Sequence, residues 1–210
     1  MVINNLFPTA VGSFELGRDL SKLEQKFLLN LETRPNMGNV TSTNNYVLRD
    51  KRLSSLGSFF NDSLQEYVQT TLSLKDNLSL QLTQSWVNYT KKGQFHHKHA
   101  HPNSIISGVF YIQAIKGIDK IYFFNDRFNQ IKTYPKELNP YNSDSWWLPA
   151  TTGTLYLFPS HLTHMVEQVT TDETRISMSF NTFYKGTIGD ETALTGLILS
   201  VLNQTPSLTK

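Results

Sequence analysis

Six histidines occur in the chain, and their placement is the strongest chemical signal. His96, His97, His99 and His101 crowd one short stretch, and His161 and His164 follow much later. In an extended strand side chains alternate between faces, so His97, His99 and His101 share one face and His96 points away. Pro102 has no N–H to give to a ladder, so the strand is expected to stop there. Imidazoles two positions apart on a strand can ligate one metal ion, with a third ligand arriving from another strand. His164 lies just past the strand-like run Leu155–Phe158 and can supply it. A solvated histidine-rich turn is the bland alternative, and three histidines sharing a face argue against it. Spacing alone does not choose His97/His99 over His99/His101. Nor does it fix the metal: three neutral imidazoles suit zinc hydration chemistry, in which the ion lowers the pKa of bound water, and equally Fe(II) with open positions for oxygen chemistry.

The elements that must position these residues are mostly strands. Residues 6–17 read as a strand and turn, followed by a helix in which Asp19 could be the N-cap and Leu20, Leu23, Phe27 and Leu31 recur about one turn apart. Residues 33–45 are rich in Asn, Thr, Gly and Pro and read as a loop. Leu53 to Leu72 gives a second helical pattern with Leu56, Phe59, Phe60, Leu64, Tyr67 and Val68 on its apolar face. From about residue 78 the period becomes two. Leu78–Leu82 alternates, and so does the run through Trp86, Asn88 and Thr90; strand-like runs follow at Ser107–Ile112, Ile121–Phe124, Leu155–Phe158 and Arg175–Phe183. Residues 125–150 read as a long irregular loop carrying Tyr141, Trp146 and Trp147, of the kind that forms a lid or binding loop. The segment from Asp190 to Asn203 is apolar and reads as a helix packed on the domain or on a second copy of the chain.

Composition narrows the function. The chain has 210 residues, 39% apolar and 17% charged, enough for one packed domain. Short strands at modest spacing predict a mainly β (α+β) fold, a sandwich or barrel with the N-terminal helices packed outside. There is no cysteine, which excludes disulfides, thiol nucleophiles and thiolate metal sites and favours an intracellular setting. The formal charge of +2 includes no basic run, so a nucleic-acid partner is not expected. No signal peptide and no membrane span are read.

At the histidines the sequence resembles the 2-oxoglutarate/Fe(II) dioxygenase superfamily. Asn88, Gly93, His99 and His101 stand at the superfamily's offsets, followed by Phe158-Pro159-Ser160 and His164, then by Arg175-Ile176-Ser177. The stretch His99-Ala100-His101-Pro102 with Ser107-Gly108-Val109-Phe110-Tyr111 is similar to one bacterial and phage subfamily of 2-oxoglutarate oxygenases with unassigned substrate. The likeness covers roughly residues 84–185. Each piece alone is weak, and the ordered set is fairly specific.

The resemblance implies a double-stranded β-helix, a cupin-like jelly-roll barrel, with Fe(II) held by His99, His101 and His164 and with 2-oxoglutarate and O2 at its open positions. It implies Arg175 as the charge-assisted partner of the co-substrate's distal carboxylate, with Ser177, Asn88 and Tyr111 as further contacts. Succinate and CO2 would be co-products of a hydroxylation on a protein side chain or small metabolite. The superfamily usually has a carboxylate where this chain has His101. His97, Tyr141, Trp146 and Trp147 are candidates for the substrate mouth. The competing expectations are a zinc hydrolase or lyase on the same barrel, or a non-catalytic binding module. A single domain is expected, with 1–77 as N-terminal strand and supporting helices, 78–185 as the β-helix core and 186–210 as a C-terminal extension. Cytoplasmic placement (the host's, for a phage protein) and homodimerisation through the C-terminal apolar segment complete the expectations.

Overall fold

The computed structural model describes residues 1–125 and 134–199. Twelve strands and two helices follow one another among them. The strands are β1 (Gly12–Glu15), β2 (Thr33–Pro35), β3 (Val40–Ser42), β4 (Leu78–Thr90), β5 (His96–His99), β6 (Ile106–Gln113), β7 (Lys120–Phe124), β8 (Ser145–Pro149), β9 (Thr154–Pro159), β10 (His164–Val166), β11 (Arg175–Ile188) and β12 (Leu197–Leu199). Helix α1 (Lys22–Leu29) follows β1, and α2 (Ser54–Thr71) precedes β4.

Two antiparallel sheets result. The larger runs β1-β9-β6-β11-β4-β3-β2, with β12 on the end of β11, and the smaller runs β5-β10-β7-β8. From β4 to β11 the chain passes back and forth between them: β4, β6, β9 and β11 in one sheet, β5, β7, β8 and β10 in the other. That alternation is the double-stranded β-helix, the expected jelly roll.

The period of two explains the layers. On the larger sheet Val87, Phe110, Leu155, Leu157, Met178 and Phe180 face out onto α2, whose Leu56, Phe60, Leu64 and Val68 recur at helical spacing. The rings of Phe60 and Phe180 stack at 5.3 Å. The alternate residues Val109, Tyr111, Tyr156 and Phe158 face in and meet Ile121, Phe123 and Val166 of the smaller sheet. The helices therefore seal one side of the large sheet and leave its other side to line the interior.

Two glycines of the family-like motif have separate reasons. Gly93 sits at φ +80° in the turn between β4 and β5, a conformation that side chains disfavour. Gly108, paired with Phe180 across β6 and β11, lies so close that any Cβ would overlap the phenyl ring. Gly108→Ala is expected to lower stability by about 1–3 kcal/mol or more through overpacking. Chemical denaturation would check this.

Several local expectations are corrected. The loop expected at 33–45 holds the short strands β2 and β3, which extend the large sheet through pairing of Val40 and Thr41 with Tyr89 and Asn88. The N-cap of α1 is Ser21 rather than Asp19; its side chain and that of Glu24 form a capping box, and the Arg18 guanidinium holds the Glu24 carboxyl down at about 2. Trp146 and Trp147 lie on strand β8, not in an irregular loop. The segment expected as a C-terminal helix contains strand β12, paired with Gly186–Ile188. Residues 126–133 and 200–210, including Val201 and Leu202, lie outside the described residues. No helix of the described residues is long and apolar enough to cross a membrane.

Candidate metal centre and co-substrate pocket

Strand pairing brings the histidines together. β5 and β10 run antiparallel with His99 directly opposite His164, and opposite residues in such a pair have Cβ atoms about 4.5–5.5 Å apart. Their ring centroids lie 4.4 Å apart. His101 follows β5, its N–H donating to the Ser160 carbonyl at 2.9 Å. Its ring is 5.0 Å from that of His99 and 5.1 Å from that of His164. One ligating nitrogen from each of the three lies within 4.8 Å of the others. His99, His101 and His164 thus form one cluster that could hold an ion, with His99 in reach of His97 as well.

The hydrogen bonds orient all three rings alike. His99 Nδ1 is 2.7 Å from the His97 carbonyl, and His164 Nδ1 is 3.0 Å from the Leu162 carbonyl. His101 Nδ1 is 2.6 Å from Asn181 Oδ1. Each oxygen accepts, so each Nδ1 carries the proton and each Nε2 keeps its lone pair. That is the tautomer a metal ligand needs. Burial pushes His164 down to about 3 and His99 to about 4, and lowers His101. The imidazoles are therefore neutral, as ligands must be. His101 Nε2 is buried and has no hydrogen-bond partner. Such an atom is costly unless something else satisfies it.

Asn181 was not evident from the sequence. Its Oδ1 also accepts from Ser107 Oγ at 3.1 Å, and Ser107 Oγ is 2.8 Å from Ser160 Oγ. The serine of the Ser107-Gly108 motif and that of Phe158-Pro159-Ser160 therefore brace the residue that orients His101. Asn181→Leu is expected to weaken metal binding by about 10–100-fold. Competition against a chelator would measure it.

A second group of residues continues inward from the imidazoles. In the register of the large sheet Ser177 is paired with Asn88 on one side and Tyr111 on the other, and these three form one row on the interior face. Arg175 is two positions along on the same face. Tyr111 Oη and Asn88 Oδ1 are buried without partners. The Asn88 amide meets Ser179 Oγ at 3.3 Å. Because a hydroxyl both donates and accepts, the amide can present either its oxygen or its NH2 to the interior. Burial raises the Tyr111 phenol, which stays a donor. A buried phenol without a partner, a guanidinium and an imidazole lone pair suit an anionic metal-chelating co-substrate.

The surroundings of Arg175 were not foreseen. It is 5% exposed and pairs with Asp119, itself 7% exposed, at 3.0 Å. Its second terminal nitrogen donates to the Glu167 carbonyl at 3.2 Å. The guanidinium is thus fixed in place and neutralised within the protein.

The cleft above the imidazoles has a volume of about 1060 Å³, and its walls include Arg34, Tyr46, Gln84, Trp86 and Phe183. His97 lines it, whereas Tyr141, Trp146 and Trp147 do not. Trp147 instead lies beneath the Lys120 ammonium, and Tyr141 is exposed. His96 does not point away from its neighbours: its ring stacks on His99 at 4.7 Å. The register slips between the His164/His99 and Val166/His96 pairs, leaving an extra residue on β5. Such a bulge breaks the simple alternation of faces.

Residues 84–181 match the model of a family described as "Putative 2OG-Fe(II) oxygenase". Over this span, just under half of the chain, the sequence is similar to that family. The matched span encloses the three imidazoles, the Asn88–Ser177–Tyr111 row, Arg175 and Asn181. Several solved structures share the fold. HygX from Streptomyces hygroscopicus, with nickel, 2-oxoglutarate and hygromycin B bound, superposes with a TM-score of 0.60 at 11% identity, over 83% of this chain and 82% of that one. The α-ketoglutarate-dependent epimerase SnoN from nogalamycin biosynthesis gives 0.59 at 10% identity, over 85% and 81%. A 2OG-Fe(II) oxygenase family oxidoreductase from Burkholderia pseudomallei gives 0.54 at 12% identity, over 81% and 84%. No curated protein matches the sequence.

Proposed function

We propose that this 2OG-Fe(II) oxygenase holds its iron through His99, His101 and His164, binds 2-oxoglutarate in the interior row and oxidises a polar substrate in the open cleft. The observation that carries this reading is the set of three buried atoms without hydrogen-bond partners, His101 Nε2, Asn88 Oδ1 and Tyr111 Oη, together with the buried Arg175. When bound, Fe(II) and 2-oxoglutarate supply oxygen activation, with succinate and CO2 as co-products.

The chain's residues supply the rest. Three carbonyl-type oxygens keep Nδ1 protonated on the imidazoles, so each Nε2 lone pair would be free to hold the ion. Arg175, held by Asp119, offers its remaining N–H groups to a carboxylate, and the Tyr111 and Ser177 hydroxyls can add neutral donors. Phe123 and Phe158 pack edge-on at 5.2 Å beside His164 and help keep water from its inner side. A zinc hydrolase has no use for a guanidinium and a row of orphaned donors behind the imidazoles.

The substrate belongs to the cleft. Among the described residues its walls carry amides, hydroxyls and aromatic rings and one arginine, but no carboxylate. That supports a neutral or anionic polar molecule, or a segment of a protein chain, and counts against a polycation. The zinc-free protein supplied with Fe(II), 2-oxoglutarate and O2 is expected to release succinate slowly on its own and faster with the right substrate. A complete lack of 2-oxoglutarate consumption by iron-loaded protein would overturn the reading.

A further inference from the structure

The inner imidazoles are not the only ligand set at the cleft. His96, His97 and His99 also bring one ligating nitrogen each within 4.8 Å of one another. Their ring centroids lie 5.4 Å (His96–His97), 4.7 Å (His96–His99) and 4.8 Å (His97–His99) apart. All three are half-buried and line the cleft; His101 lines it too but is only 9% exposed, and His164, 6% exposed, does not. The extra residue on β5 creates this arrangement by bringing His96 round beside His99. Lys98, between them in sequence, places its ammonium 3.9 Å over the Phe124 ring. The His99 Nδ1 proton is committed to the His97 carbonyl, so His99 has one lone pair, at Nε2, to offer either set.

We propose that His96, His97 and His99 form a second, outer site for a borderline divalent cation at the mouth of the cleft. It shares His99 with the inner site, so that one ion occupies either set but not both. An ion entering from solvent meets the outer imidazoles first and reaches the buried pair by transfer at His99. The outer set is thereby a loading position for the inner centre. Neutral nitrogen ligands of this kind suit Fe(II), Co(II), Ni(II) and Zn(II) and discriminate against Mg(II) and Ca(II).

Co(II) binding to tag-free protein, followed by its visible spectrum, tests this without 2-oxoglutarate or turnover. His101→Ala/His164→Ala lacks the inner pair and is expected still to bind one Co(II), and adding His96→Ala/His97→Ala is expected to abolish that binding. Absence of binding in folded His101→Ala/His164→Ala protein would overturn the outer site. Should that variant fail to fold by circular dichroism, stopped-flow loading decides. His96→Ala/His97→Ala is expected to take up Co(II) more slowly than the parent while reaching the same one-ion end point, and an unchanged loading rate would overturn the proposal. Failure of the oxygenase reading would show separately, as Co(II) bound at the inner site with no response to 2-oxoglutarate.

Discussion

Arg175→Ala is expected to lower stability by about 3–5 kcal/mol and to abolish 2-oxoglutarate binding. The stability loss follows because Asp119 would be left as a buried charge without its partner. The two effects can be separated. Replacing a buried ion pair by apolar side chains of similar volume is often neutral, so Arg175→Met/Asp119→Leu is expected to recover most of the stability and still fail to bind 2-oxoglutarate. Asp119→Asn should behave in the opposite sense. It leaves the guanidinium buried and uncompensated, so its melting temperature falls in the free protein, and 2-oxoglutarate with metal raises it by more than in the parent. Thermal unfolding with and without co-substrate reads all three variants. Co-substrate binding by the doubly apolar variant would remove Arg175 from the pocket.

The second large effect concerns His101. His101→Leu is expected to cost metal affinity well beyond the about 10–100-fold that outer hydrogen-bond partners command. At the same time it should leave the stability of the metal-free protein unchanged or raise it. The reason is that His101 Nε2 is a buried acceptor without a partner, and removing such an atom removes its desolvation penalty. Asn181 keeps its bond from Ser107 in the variant's surroundings. Metal titration and chemical denaturation of the apo form measure the two halves. A marked loss of apo stability would mean that His101 is a structural residue rather than a ligand held in waiting.

The charges around the site would accommodate a histidine ligand at position 101 in place of the carboxylate usual in the superfamily that the sequence resembles. Three neutral imidazoles leave a divalent ion at about +2, which a dianionic co-substrate matches. Arg175 and Asp119 cancel one another behind it. The negative charge that such a ligand set would lack is present on Asp119, the partner of Arg175.

Much of this was legible in the sequence, for physical reasons that differ by element. The period-two runs of β4, β6, β9 and β11 carry a clean inside–outside pattern because α2 covers one face and the cavity the other. The histidine cluster was readable from its spacing on a strand, while the choice of His99, His101 and His164 came from the family resemblance. Strands β2 and β3 were missed because three-residue strands at a sheet edge carry too little apolar signal. The place of His96 was missed because a bulge, which inserts one residue, reverses every face assignment before it. Asp119 and Asn181 were missed for another reason. Their partners are 56 and 80 residues away in sequence, and nothing local marks a residue whose role is to orient another. The two tryptophans of β8 read as loop residues because prolines and polar residues surround an exposed edge strand.

The most direct test of the central claim is an anaerobic titration of the metal-free protein with Fe(II) and then 2-oxoglutarate, watching for the weak visible charge-transfer band of the chelated co-substrate. A saturable band is expected in the parent and none in His101→Leu or in Arg175→Met/Asp119→Leu. No band in iron-loaded parent protein, or a band of full intensity in both variants, would contradict the claim.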